Sequence, residues 1–166
     1  MILTAFTLVH VLISLVGIIA GFVVLYGLVV NAKLLRDWNT AFLSTTVLTS
    51  ITGFLFPVKH FMPSQGVGIV SLTVLAIALY ALHGRHLKGG WRRTYVITAT
   101  MALYLNVFVG VVQSFTKIPA LKLLAPTQTE GPFKIAQLSL LIIFIFLGTL
   151  AANRFREKPL RTGVLS

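Results

Sequence analysis

The sequence predicts an all-α integral membrane protein: a bundle of five transmembrane helices with the N-terminus outside and the C-terminus cytoplasmic. Three observations carry this. Of the 166 residues 57% are hydrophobic and only 10% are charged, where a soluble domain carries about 25% charged residues. No Asp, Glu, Lys or Arg occurs before Lys33, and from Leu8 to Val30 only His10, Ser14, Tyr26 and glycines interrupt the apolar run. A helix needs about 20 mostly apolar residues to cross a hydrocarbon core about 30 Å thick, and this run supplies them with room for tilt. The third observation is the uneven distribution of Lys and Arg between successive loops.

The whole chain, 1–166, reads as a single transmembrane domain with spans at 4–30, 40–57, 67–82, 94–115 and 133–152. Five spans of about 20 residues use about 100 positions, and the remainder is short loops and tails without space for a soluble catalytic domain. Met1–Ile2–Leu3 puts no basic segment ahead of the first run, which also outlasts the roughly 7–15 residues of a signal-peptide core, so the segment is read as a retained span. Ten of the fourteen Lys and Arg fall on one side of this threading: Lys33, Arg36, Arg85, Lys88, Arg92, Arg93, Arg154, Arg156, Lys158 and Arg161. Lys59, Lys117, Lys122 and Lys134 fall on the other. The positive-inside rule makes the first side cytoplasmic, and Trp38, Trp91 and Tyr95 stand beside its basic residues as interfacial anchors. The net charge of +11 then faces anionic headgroups of the lipid bilayer and implies no nucleic-acid partner.

In the first span Ser14, Gly17 and Gly21 form a small-residue face with GxxxG spacing, which lets a helix of the same chain or of another copy approach closely. The second span is the most patterned. At about 100° per residue Thr45, Thr46, Thr49, Ser50, Thr52 and Gly53 share one face, and Val47, Leu48, Ile51, Phe54 and Leu55 lie opposite. The hydroxyl face reads either as tight packing, with each hydroxyl bonded to its own backbone, or as a polar seam lining a solute. Pro57 ends this helix, and Pro63, Gly66 and Gly68 turn the chain into the third span, which ends near His83 and His86, one turn apart.

In the fourth span Ala99, Ala102, Asn106, Gly110 and Gln113 share a face, with Asn106 and Gln113 stacked two turns apart. An amide in hydrocarbon needs a partner, so Asn106 is expected to point into the bundle, toward the hydroxyls of the second span. The two amides read equally as structural glue or as a solute-binding pair. Between Lys117 and Phe133, Pro119 starts a short interfacial helix that lays Leu121, Leu123 and Leu124 on the membrane, and Pro126, Gly131 and Pro132 return the chain. The fifth span has no polar relief from Leu140 to Leu147 and only Gly148 and Thr149 before Leu150.

The threading gathers His10, Lys59, His60, Gln113, Lys117, Glu130 and Gln137 in the outer half of the bundle, an outward-facing polar vestibule. Candidate solute-pocket residues are His10, Thr45, Thr49, Thr52, Asn106, Gln113 and Gln137; helix-packing residues are Ser14, Gly17, Gly21 and Gly110. The three acidic residues, Asp37, Glu130 and Glu157, all fall in loops or tails, which disfavours a carboxylate-driven proton or metal exchanger. No hydrolytic triad is apparent, so no enzyme is expected. With no Cys, disulfides, iron–sulfur ligation and thiol catalysis are excluded. No cofactor is expected; a haem or metal reading would centre on His10, but no second histidine lies at its depth.

Residues 45–54 (TTVLTSITGF), 102–108 (ALYLNVF) and 125–130 (APTQTE) resemble a group of small bacterial multi-pass inner-membrane proteins that carry no assigned activity, and the likeness spans most of the chain. It implies location in the bacterial inner membrane and nothing about chemistry. The expectation is a non-enzymatic protein that binds or passes a small solute through an outward-facing polar pocket, working as a homo-oligomer. The alternatives are an accessory or structural subunit packed against other subunits of a larger membrane complex, redox complexes being one option, and a haem-binding membrane protein.

Overall fold

The computed structural model describes residues 2–30, 32–56 and 63–155. Among them the chain is helical throughout, without strands: α1 (Ile2–Val30), α2 (Arg36–Gly53), α3 (Pro63–Leu79), α4 (Trp91–Lys117), α5 (Pro119–Leu124) and α6 (Gly131–Arg154). A π-helical turn, Tyr80–Gly84, extends α3. Four segments are long and apolar enough to cross a membrane: Thr4–Val30, Gln65–Gly84, Trp91–Lys117 and Gly131–Arg154.

The second predicted span is the one outside this set. Its helix, α2, has 18 residues, about 27 Å at 1.5 Å per residue. Its first turn spends Arg36, Asp37 and Asn39 on polar groups, and hydroxyls fill much of the rest. It nevertheless lies antiparallel along α1. An added Cβ at Gly27 would meet Leu35, one at Gly21 would meet Phe42, and His10 reaches Thr52.

Long helices alternate in direction along the chain, so the loops sort to two ends. At one end Arg154 Nη1 donates to the Val29 carbonyl at 2.9 Å, Arg92 lies 5.0 Å over the Phe155 ring, and Arg85 lies 5.4 Å over Trp91. A cation on the last carbonyls of α1 complements the negative end of that helix dipole. Lys33, Arg36, Lys88 and Arg93 belong to the same end, while Lys117, Lys122 and Lys134 belong to the other. Lys59, His60, Arg156, Lys158 and Arg161 lie outside the described residues.

At the centre stands α4, which packs against α1, α2, α3 and α6. Apolar side chains gain little by leaving lipid for a protein interior, so close approach through small residues has to hold such helices together. Ala78 and Ala81 on the α3 side and Ala99 and Ala102 on α4 are buried, Ala78, Ala81 and Ala102 completely. Large apolar side chains face outward instead, among them Leu8, Leu12 and Ile19 on α1 and Ile142, Ile145 and Phe146 on α6.

Two expectations are corrected. Tyr95 is not an interfacial anchor: it is fully buried, and its hydroxyl donates to Asn39 Oδ1 of α2, itself buried. The reason is helical phase, because Tyr95 sits one turn before Ala99 on the inward face of α4. His83 and His86 do not share a helix face, because the π turn ends at Gly84 and His86 follows in the left-handed region at φ 50°.

Candidate solute-binding site

The hydroxyl face of α2 is turned into the bundle. Thr46 is buried and Thr45, Thr49, Ser50 and Thr52 are half-buried, whereas Leu48, Ile51 and Leu55 are exposed. Two of these hydroxyls bond their own helix: Thr45 Oγ1 donates to the Ala41 carbonyl at 2.6 Å and Thr52 Oγ1 to the Leu48 carbonyl at 2.7 Å. Ser50 Oγ meets Ser71 Oγ of α3 at 3.0 Å.

Gly17 of α1 is where three helices converge. A Cβ built on it would lie 3.0 Å from Thr45 Oγ1, 3.2 Å from Asn106 Nδ2 and 3.3 Å from Thr46 Oγ1. The absent side chain is therefore what allows α2 and α4 to bring a hydroxyl pair and an amide against the α1 backbone. Asn106 is thus directed at the α2 hydroxyls, yet Thr46 Oγ1, Thr49 Oγ1 and Asn106 Nδ2 are buried with no hydrogen-bond partner among the described residues. Buried polar groups in native proteins are normally paired, and each unpaired one costs about 1–3 kcal/mol.

His10 lies two turns above Gly17 on α1. Its Nδ1 is 2.8 Å from Thr52 Oγ1, and its ring meets Phe56 edge-on at 5.1 Å. With the Thr52 proton on the Leu48 carbonyl, Thr52 Oγ1 accepts from Nδ1–H in the tautomer that carries the proton there. In the neutral ring this leaves Nε2 as an acceptor or metal ligand. Among the described residues no three His, Cys, Asp or Glu side chains gather where a metal ion would sit, and His83 and His86 lie at the opposite end.

The structure separates the remaining candidates from this seam. Gln113 is exposed, so the two amides of α4 do not form a pair. Gln137 Nε2 donates to the Phe108 carbonyl at 3.4 Å and its Oε1 is unpartnered. Phe108 is two residues beyond Asn106, about 200° round the helix, which places Gln137 on the other side of α4. Ser14 Oγ bonds the His10 carbonyl at 2.8 Å. Gly21 is sandwiched between Leu103 and Phe42, whereas Gly110 meets only Ile18 at 3.8 Å. Because Gly17 and Gly21 face α2 and α4, association with another chain would use a different face.

The loop after α4 is tied to itself rather than to the seam. Glu130 Oε1 accepts from the Thr127 amide at 3.1 Å and hydroxyl at 2.8 Å, and Oε2 accepts from the Thr129 amide at 3.0 Å. Desolvation raises the Glu130 pKa, but the Thr127 hydroxyl and the backbone amides of Thr127, Glu130 and Thr129 together outweigh it, so the carboxyl titrates below its ordinary value. Gln128 Nε2 anchors the turn to Thr116 Oγ1 at 2.7 Å. In α5, Leu123 and Leu124 are exposed and Leu121 is half-buried.

Thr46 was legible as a member of the hydroxyl face. Asn39 gave no signal before its partner Tyr95 was placed in the core. Comparison with known proteins finds no matching family, no matching curated protein and no matching solved structure.

Proposed function

We propose that the protein is a non-enzymatic, five-span protein of a bacterial inner membrane that binds or passes a small polar solute at the α1–α2–α4 seam. The observation that carries this reading is the set of buried, unpartnered polar atoms, Thr46 Oγ1, Thr49 Oγ1 and Asn106 Nδ2, beneath His10. Together they offer donors and acceptors to a ligand. Asp37 and Glu130, the acidic residues described, stand outside the membrane-crossing segments, which favours an uncharged solute over a metal cation or a proton.

Other features support the finer parts of the reading. The Lys- and Arg-rich end is the reason for placing the C-terminal end of α6 in the cytoplasm and the N-terminus outside. Counting α2 as a fifth span rests on its position beside α1 and on hydroxyls that bond their own backbone, which makes the helix less costly to embed than its hydropathy implies. The seam is closely packed at Gly17, so passage of a solute requires α1 and α2 to separate. A homo-oligomer is the expected working form.

The test is native mass spectrometry of the protein extracted gently from its own membrane, followed by the same measurement on Asn106→Leu and Thr46→Val. The expected result is a homo-oligomer that retains a small polar molecule, which both variants lose. Stoichiometric association with foreign subunits and no retained molecule would overturn the reading and favour the accessory-subunit alternative; a haem-sized adduct lost in His10→Ala would favour the cytochrome-like one.

A further inference from the structure

On the far side of α4 from the seam, α4 and α6 line a groove of about 300 Å³ that opens sideways. Its walls are apolar: Ile97 and Met101 from α4, Phe144 and Ile145 from α6. Its two ends differ. At the basic end stand Arg93 and Asn153, and toward the middle of the bundle it is bounded by Tyr104. The distance along α4 from Arg93 to Tyr104 is about 16 Å, close to half of a hydrocarbon core about 30 Å thick. The groove therefore runs from headgroup level to the bilayer midplane.

Its charge is specific. Arg85 is stacked over Trp91, Arg92 lies over Phe155 and bonds the Leu87 carbonyl at 3.3 Å, and Arg154 holds the Val29 carbonyl. Arg93, exposed at the mouth of the groove, has no hydrogen-bond or ion-pair partner among the described residues. Thr100 on the groove wall is buried, and its hydroxyl is unpartnered among the described residues. With its oxygen closed off inside the bundle, Thr100 leaves headgroup recognition to Arg93.

We propose that this groove is a binding site for one anionic phospholipid of the surrounding bilayer, with the phosphate on Arg93 and an acyl chain laid between α4 and α6. Apolar walls alone would accept any lipid. An unengaged guanidinium at headgroup depth selects a negative one, since basic pockets between membrane helices at this level bind anionic headgroups, and Arg presents a planar fork to phosphate. The site shares no residue with the α1–α2–α4 seam and stands or falls independently of it.

The experiment is native mass spectrometry of the full chain after incubation with phosphatidylglycerol or phosphatidylcholine vesicles and detergent washing. It compares the unaltered protein with Arg93→Gln, Thr149→Phe and Arg36→Gln. Thr149 is exposed on the groove wall, so a phenyl ring there fills the groove without entering the core; Arg36 is an exposed cation of the same end away from the groove. The expected result is one tightly held phosphatidylglycerol per chain that phosphatidylcholine does not replace. Retention should fall about five-fold in Arg93→Gln, the equivalent of about 1 kcal/mol, vanish in Thr149→Phe and persist in Arg36→Gln. Equal loss in the two arginine variants with none in Thr149→Phe would mean diffuse surface attraction and overturn the proposal. So would a lipid-free dimer, in which a second copy covers the groove. Arg93→Gln alters only an exposed side chain, so it remains a readable test if the Thr149 variant fails to fold.

Discussion

The two sides of α4 are built on opposite principles. Toward α1, α2 and α3 it presents Tyr95, Ala99, Ala102, Leu103 and Asn106, and there the neighbouring helices approach until a glycine is the largest residue that fits. Toward α6 it presents Thr100 and Tyr104 against Gly148 and Phe144, while Ile97, Met101 and Ile145 stay half-exposed along a groove beside that contact. In a medium as apolar as the side chains themselves, contact is decided by residue size and by polar pairs rather than by hydrophobicity. The close side is fixed by fit and hydrogen bonds, and the open side keeps room for something else.

The largest predicted effect lies on the close side. A Cβ on Gly21 would sit 2.9 Å from two ring carbons of Phe42 and 2.5 Å from Leu103 Cδ1. Leu103 and Phe42 are both fully buried, so Gly21→Ala should cost about 1–3 kcal/mol and Gly21→Leu should prevent assembly of the bundle. Gly110→Ala is the contrast, since its new methyl would have a nearest neighbour at 3.8 Å and should change stability by less than about 0.5 kcal/mol. Thermal unfolding in detergent reads both. Equal effects at the two glycines would mean that the closeness of the neighbouring side chains does not decide which glycine tolerates a methyl.

Tyr95→Phe comes next. It deletes the hydroxyl that donates to Asn39 and strands a buried carbonyl, with an expected loss of about 1–2 kcal/mol. Adding Asn39→Leu should restore part of that loss, because removing both partners of a buried hydrogen bond costs less than removing one. Unfolding of the single and double variants completes a cycle that isolates the α2–α4 tie. Additive losses would mean that the two side chains do not interact.

Asn106→Leu sharpens the contrast further, because its expected sign is unusual. The amide nitrogen is buried against Gly17 without a partner, so in protein stripped of solute its loss should leave stability unchanged or raise it. If the proposed solute is bound, the same change should lower stability, since a ligand that binds only the folded state contributes to it. A loss of about 1 kcal/mol in both preparations would identify Asn106 as structural glue.

How much of this was legible in the sequence depended on whether a residue's role is set by its own helix or by a neighbour. Helical phase on α2 alone turned the hydroxyls inward, and phase on α4 placed Ala99, Ala102 and Asn106 at the core. The same phase argument applied to Tyr95 would have put it inside; adjacency to Arg92 and Arg93 suggested an anchor instead. Gln113 shares the phase of Asn106 yet is exposed, because a face is buried only where another helix covers it, and coverage is a property of the assembled bundle. The groove had no sequence signal for the same reason. Its walls come from α4 and α6 together, which meet where Gly148 lies against Thr100, a combination that neither helix reveals by itself.

The smallest effect belongs to the turn between α5 and α6, which is tied by a carboxylate rather than by helix fit. Glu130 accepts from the Thr127 and Thr129 amides and the Thr127 hydroxyl, and these bonds hold its pKa below the ordinary carboxyl value of 4.5. A depressed pKa in the folded state means that the carboxylate supports the turn above the ordinary carboxyl pKa and that this support is lost as pH falls through the lower, folded value. The amide resonances of Thr127 and Thr129 should therefore hold steady near neutral pH and shift together only below pH 4.5, while amides along the α1–α2 seam do not move with them. Glu130→Gln should place both resonances near their acid positions at neutral pH without changing the unfolding temperature of the bundle. If the seam amides shifted in step with the loop, the turn would be coupled to the candidate site and would act as a lid on it; independent titration makes it a self-contained connector between α5 and α6.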